Sequence, residues 1–130
     1  MADHPKVHIE PYILDQLREI CLELPEAVES EAFGAPTFQI RAKNFAMTGR
    51  DRDDRPTVWV KGAPGQQEML TGALPDRYFR PPYLGKSGWI GCWLDDTAIP
   101  DWDEIEDLII ESYRLIAPKR LVKQLETHVP

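Results

Sequence analysis

Residues 27–61 read AVESEAFGAPTFQIRAKNFAMTGRDRDDRPTVWVK, and the period of that stretch decides the fold. Apolar and polar residues alternate in short runs at 27–33, 37–40, 44–48 and 57–61, the pattern of half-buried strands. The links between them, 34–36, 42–44 and the charged 50–56, are short. Such links join antiparallel neighbours, because a parallel pair needs a crossover of about a dozen residues or more. The stretch therefore predicts an antiparallel meander.

On either side the period changes to that of a helix. Ile13, Leu14, Leu17, Ile20, Cys21 and Leu24 recur at steps of three and four, which predicts a helix over 11–24 with Pro11 in its first turn and Pro25 as its stop. Cys21 lies on that stripe as a buried, unreactive thiol. A short helix at 64–72, an irregular Tyr-Phe-Arg-Pro-Pro-Tyr segment at 78–83 and a strand at 89–94 follow. The last long helix has Asp101 as N-cap and Glu104 placed to complete a capping box, with Trp102, Ile105, Leu108, Ile109, Ser112, Leu115 and Ile116 on its apolar face. Pro118 stops it or kinks it into a final short helix ending near Leu125. The expected fold is α+β in two layers: an antiparallel sheet of about five to six strands flanked by an N-terminal helix and C-terminal helices. It forms one domain over 1–130, with a core at about 12–125 and frayed ends at 1–10 and 126–130.

With 130 residues, 42% hydrophobic and 9% aromatic, the chain can close a core without metal or disulfide staples, and disorder is excluded. The two cysteines are far apart and lack C-x-x-C spacing, so neither a disulfide framework nor a zinc knuckle is expected. No apolar run approaches the roughly 18 residues of a membrane span, and the first residues do not resemble a signal peptide. A cytoplasmic protein without a membrane partner is expected.

The net charge of −7 hides a division. Residues 1–40 and 94–113 are strongly acidic, whereas 41–93 hold nine bases against five acids and 114–130 hold four against one. A local basic surface remains compatible with the acidic total.

Several chemistries drop out. His4, His8 and His128 are all near the ends, so the body of the domain has no imidazole for a triad or a general base, and Ser30, Ser87 and Ser112 have no visible partner. No enzymatic activity and no cofactor are expected. Leu84-Gly85-Lys86-Ser87 resembles the tail of a phosphate-binding P-loop, but Arg80 stands where its first glycine belongs, and Pro81 and Pro82 lack the N–H groups that cradle phosphate. The run 51–56 has alternate aspartates like a calcium loop, yet lacks the sixth-position glycine and twelfth-position glutamate, and reads as a solvated hairpin loop. Asp103, Asp107 and Glu111 fall at i, i+4 spacing and form an acidic column, a weak candidate for metal that reads better as a solvated face.

Trp89, Gly91 and Trp93 alternate with Ile90, Cys92 and Leu94. If helices cover the second set, the tryptophans occupy the opposite face, partly buried under loops or open as a stacking platform. Tyr78, Phe79 and Tyr83 around two prolines pose the same choice. Lys119 and Arg120, with Arg114 and Lys123, suit the helix ends near them.

Four stretches also resemble a known family. Phe33-Gly34-Ala35-Pro36-Thr37-Phe38, Lys43-Asn44-Phe45-Ala46, the run 81–91 and the ending 112–121 together look like the MmcQ/YjbR family over about residues 12–125. The resemblance implies a frataxin-like (CyaY-like) fold with an antiparallel sheet and flanking helices. It also implies DNA binding, a label drawn from shape, and it supplies no catalytic residue set.

Three functions follow as expectations. The first is a small non-catalytic domain binding DNA or another nucleic acid, with Lys43, Arg77, Arg80, Lys86, Lys119 and Arg120 on phosphates and Tyr83 or Trp89 stacking on a base. The second is a module binding a protein partner or a small ligand through the proline-rich aromatic loop. The third is weak metal binding on the acidic column.

Overall fold

The computed structural model describes residues 5–127, so His4 and His128 lie outside the described residues. Helix α1 (Pro11–Cys21) is followed by strands β1 (Val28–Ala32), β2 (Ala35–Ile40), β3 (Lys43–Arg50) and β4 (Pro56–Lys61). Then come helix α2 (Gln66–Ala73), the two-residue strand β5 (Tyr78–Phe79) and strand β6 (Trp89–Trp93). Helices α3 (Trp102–Ile116) and α4 (Lys119–Thr127) complete the chain. The fold is α+β, with a six-stranded sheet whose neighbours are all antiparallel.

The meander holds for the first four strands and then breaks. Strand order is β1-β2-β3-β4-β6-β5, so β6 returns beside β4 while β5 takes the outer edge. The segment read as irregular thus supplies an edge strand, too short to show a period.

Both tight hairpins use two central residues at positive φ, Phe33–Gly34 (54° and 82°) and Arg41–Ala42 (51° and 65°). That is the geometry whose twist matches the flanking strands. Between β2 and β3 the register slips at Phe38/Gln39, leaving Phe45 as an extra residue. The bulge lets Phe45 and Ala46 both enter the core, and the Phe45 ring meets Tyr113 edge-on at 5.5 Å.

Residues facing each other across paired strands share a face. Phe38, Ala46, Val60 and Ile90 form one such row, and Val58 and Cys92 belong to the next. These residues pack with Ile13 and Leu17 of α1, Ile105 and Ile109 of α3 and Leu121 of α4, and Leu70 of α2 joins the same cluster. All four helices therefore cover one side of the sheet.

The ends of the elements differ from expectation in three places. α1 stops at Cys21 and Leu24 reaches the core from the following turn. Asp101 caps α3 by accepting from the amides of Asp103 and Glu104, but Glu104 does not close a capping box. Its carboxylate instead accepts from the Tyr78 hydroxyl, tying α3 to β5. Residues 7–10, expected to fray, are held: Ile9 is buried, Val7 N–H donates to Gly34 O at 2.9 Å, and Glu10 pairs with Arg50 at 2.6 Å.

Candidate nucleic-acid interface

The sheet face away from the helices is built by the second set of rows. Thr37, Met47, Trp59, Gly91 and Phe79 lie side by side across β2, β3, β4, β6 and β5. Thr57 faces Trp93, and Lys61 faces Trp89. None of these residues belongs to the core cluster under the helices. The face is aromatic and nearly uncharged, with Lys61 as its only charge in these rows.

Its aromatics are organised rather than loose. Gly91 is required by space, since a methyl group there would overlap the Phe79 ring. Phe79 in turn packs on Trp93 at 4.6 Å between ring centres, and the Arg55 guanidinium lies 4.5 Å from the Trp93 ring. Arg55 is fixed there by Asp95 at 3.0 Å, and the Trp93 indole N–H donates to Asp51 at 2.9 Å. Trp59, Phe79 and Trp93 are half-buried and keep accessible edges, whereas Trp89, at 8% exposure, is buried, so the base-stacking role expected of it falls to its neighbours on this face. The partial burial of Trp93 comes from the Phe79 ring and from the loop after β3.

That loop is not simply solvated. Asp51 accepts from the amides of Asp53 and Arg55, each at 2.9 Å, as well as from Trp93. Burial pushes its carboxyl upward, but these donors and the Arg55 charge outweigh it and hold Asp51 below the usual range. Asp95, likewise opposed by burial, is lowered by Arg55 and Thr97. Burial, with a smaller contribution from the charge of Glu29, pushes the Cys21 thiol far upward, and burial with Glu104 does the same to Cys92, which keeps both unreactive.

The register sorts the candidate cations by sheet end. The Arg41–Ala42 turn, the end of β4 at Lys61 and the start of β6 at Trp89 share one end. β5 runs toward that end, so Arg80 lies there, and the 84–87 turn carrying Lys86 leads directly into Trp89. Arg120 reaches the same end by sharing Glu26 with Arg41, at 3.6 Å and 3.0 Å, and Lys119 precedes it at the start of α4. Arg77 falls at the opposite end, where its carbonyl accepts from Trp93 N–H. The sequence grouped Arg77 with Arg80, but a strand of two residues between them sends them to opposite ends.

Among the described residues, no carboxylate lies within 4.0 Å of Lys43, Lys61, Arg80, Lys86 or Lys119. Lys61, missing from the set proposed for phosphate contacts, is the one that joins the basic end to the aromatic face. The register sets it directly opposite Trp89 across β4 and β6. Tyr83 stands beside this end at 90% exposure with φ of 64°. Between α2, Arg80 and the 84–88 segment lies a concavity of about 530 Å³.

The acidic column does not build a metal site. Asp103, Asp107 and Glu111 follow one another along α3, and no three His, Cys, Asp or Glu side chains converge to hold an ion among the described residues. No described helix is long and apolar enough to cross a membrane.

Comparisons with known proteins agree with this architecture. No curated protein matches the chain. Among solved structures, the crystal structure of Deinococcus radiodurans protein DR2400, a DUF419 domain, superposes with a TM-score of 0.67 at 27% identity, covering 87% of each chain. A family model described as YjbR matches residues 22–115, a span running from the end of α1 to near the end of α3. The chain belongs to the YjbR family.

Proposed function

We propose that this is a non-catalytic domain that binds single-stranded nucleic acid, with phosphates held at the basic end and bases laid on the helix-free face. The observation that carries the reading is the juxtaposition of Lys61 with Trp89. There a group of cations without a carboxylate within 4.0 Å among the described residues, Lys43, Lys61, Arg80, Lys86 and Lys119, meets a sheet face bearing Met47, Trp59, Phe79 and Trp93. A groove or edge of cations beside aromatic platforms is what strand binding without base-edge readout requires, and each stacked base contributes about 1–3 kcal/mol. Arg120 contributes less than Lys119, because Glu26 already shares its charge. Arg77 makes no phosphate contact. A reducing, cytoplasmic setting suits two free, buried thiols.

Fluorescence anisotropy at low salt, with a labelled oligonucleotide as single strand and as duplex, tests the reading. Saturable binding that favours the single strand and weakens in Lys61→Glu/Lys86→Glu is expected. Absence of saturable binding to either form overturns it. The exposure of Tyr83 favours a second reading, a protein partner docked on the 81–86 loop. Under that reading Tyr83→Ala abolishes partner binding and leaves strand binding unchanged.

A further inference from the structure

The concavity at the basic end has a chemistry of its own. Its walls bring together Lys61 at the end of β4, Arg80 beyond β5 and Lys86 in the 84–87 turn, with one carboxylate, Glu68 of α2, among them. Glu68 is not within 4.0 Å of any of the three cations, so the lining holds two positive charges in excess, and none of the three pairs directly with a carboxylate among the described residues. Like charges gathered in one recess repel, and an anion relieves that cost. The backbone adds donors, because α2 starts at Gly65 with φ of 83° and no side chain caps its first turn. The volume of about 530 Å³ exceeds what a bare phosphate fills and falls within the range of small-ligand sites. Leu115, 40% exposed, supplies an apolar wall for the rest of such a ligand.

We propose that this concavity is a binding site for a phosphomonoester carrying an organic group, such as a nucleoside monophosphate or the 5′-phosphate end of a strand. A monoester carries roughly −1.5 to −2 near neutrality, matching the excess of two, whereas an internal phosphodiester carries about half of that. The 84–87 segment lacks the glycine-rich cradle of a P-loop and forms a 3₁₀ turn, so its contribution is to bind a phosphate, with no hydrolysis implied. The site shares Lys61, Arg80 and Lys86 with the basic end proposed for strand phosphates, but it lies apart from the stacking face, because it reads a terminal phosphate and needs no run of bases.

Amide NMR titrations of the full chain test it, using adenosine 5′-monophosphate, adenosine, inorganic phosphate, and a short strand with either a 5′-phosphate or a 5′-hydroxyl end. The monophosphate is expected to shift the amides of 65–68 and 86–88 saturably, with inorganic phosphate shifting the same signals more weakly and adenosine leaving them in place. Lys86→Gln and Arg80→Met, the latter keeping the aliphatic stem over Gly85, each weaken binding by about tenfold, and Glu68→Gln tightens it. Preference for the 5′-phosphorylated strand assigns the site to strand ends, and equal binding of the two strands assigns it to the free nucleotide. No saturable shift at millimolar monophosphate, equal shifts with adenosine, or unchanged affinity in the variants overturns the proposal. If strand binding persists while the monophosphate fails, only this site is lost and the stacking face stands.

Discussion

Single residues decide how the two faces of the sheet are built. Gly91 sits in the middle of β6 because the Phe79 ring occupies the space of any side chain there. Gly91→Ala is expected to displace Phe79 and lower stability by about 1–3 kcal/mol in urea unfolding, with a shift in tryptophan emission as the Trp93 stack loosens. On the other face Ser112 is fully buried, accepts from Lys61 N–H at 2.9 Å and donates to Phe45 O at 2.7 Å, so one hydroxyl fixes α3 against β3 and β4. Ser112→Ala leaves both backbone groups unpaired, and a loss of about 1–3 kcal/mol is expected in the same assay. The alternation of Trp89, Gly91 and Trp93 with Ile90, Cys92 and Leu94 was legible in the sequence. The partners of Gly91 and Ser112 were not, because each lies on another element. Glu104 is similar: local spacing aimed it at its own helix end, and Tyr78 offered a partner that only the tertiary fold brings near.

At the scale of elements, the period-two stretch gave the first four strands and their antiparallel pairing, while β5 left no signal in its two residues. Turn chemistry was also partly hidden. The β2–β3 hairpin places Arg41 and Ala42 at positive φ without a glycine, so its sequence carries none of the usual signs of such a turn. Ala42→Gly is therefore expected to stabilise the domain by roughly 0.5–1 kcal/mol, read as a higher urea midpoint. The loop after β3 makes an electrostatic prediction. Glu10 is lowered by its bond to Arg50 against the pull of burial, and Asp51 and Asp95 are lowered as their donors outweigh burial. A carboxyl depressed in the folded state adds stability that is present above its unfolded value of about 4 and lost as pH falls through the folded value. The urea midpoint should therefore hold from neutrality to about pH 5 and fall steeply below about pH 4. In Asp51→Asn the midpoint is lower near neutrality and its fall in acid is shallower.

Over the whole molecule, the sheet separates charge by its two ends. The end at Trp89 gathers Arg41, Lys43, Lys61, Arg80, Lys86, Lys119 and Arg120, and the opposite end holds Asp51, Asp53, Asp54, Asp95 and Asp96 with the arginines that pair with them. The segmental charge pattern foretold a polar molecule with a basic region, but not which bases would stand free. Arg50 and Arg55 are spent on Glu10, Asp54 and Asp95, while the lysines of the other end have no such partners among the described residues. That difference confines the polyanion contacts proposed for this acidic chain to one end. The salt dependence of single-strand affinity tests this most directly. For a strand neutralised by Lys43, Lys61, Arg80, Lys86 and Lys119, the slope of log affinity against log salt should be about −3.5, falling to about −2.1 in Lys61→Gln/Lys86→Gln. A slope near zero, or one that the double substitution leaves unchanged, would contradict binding through the basic end.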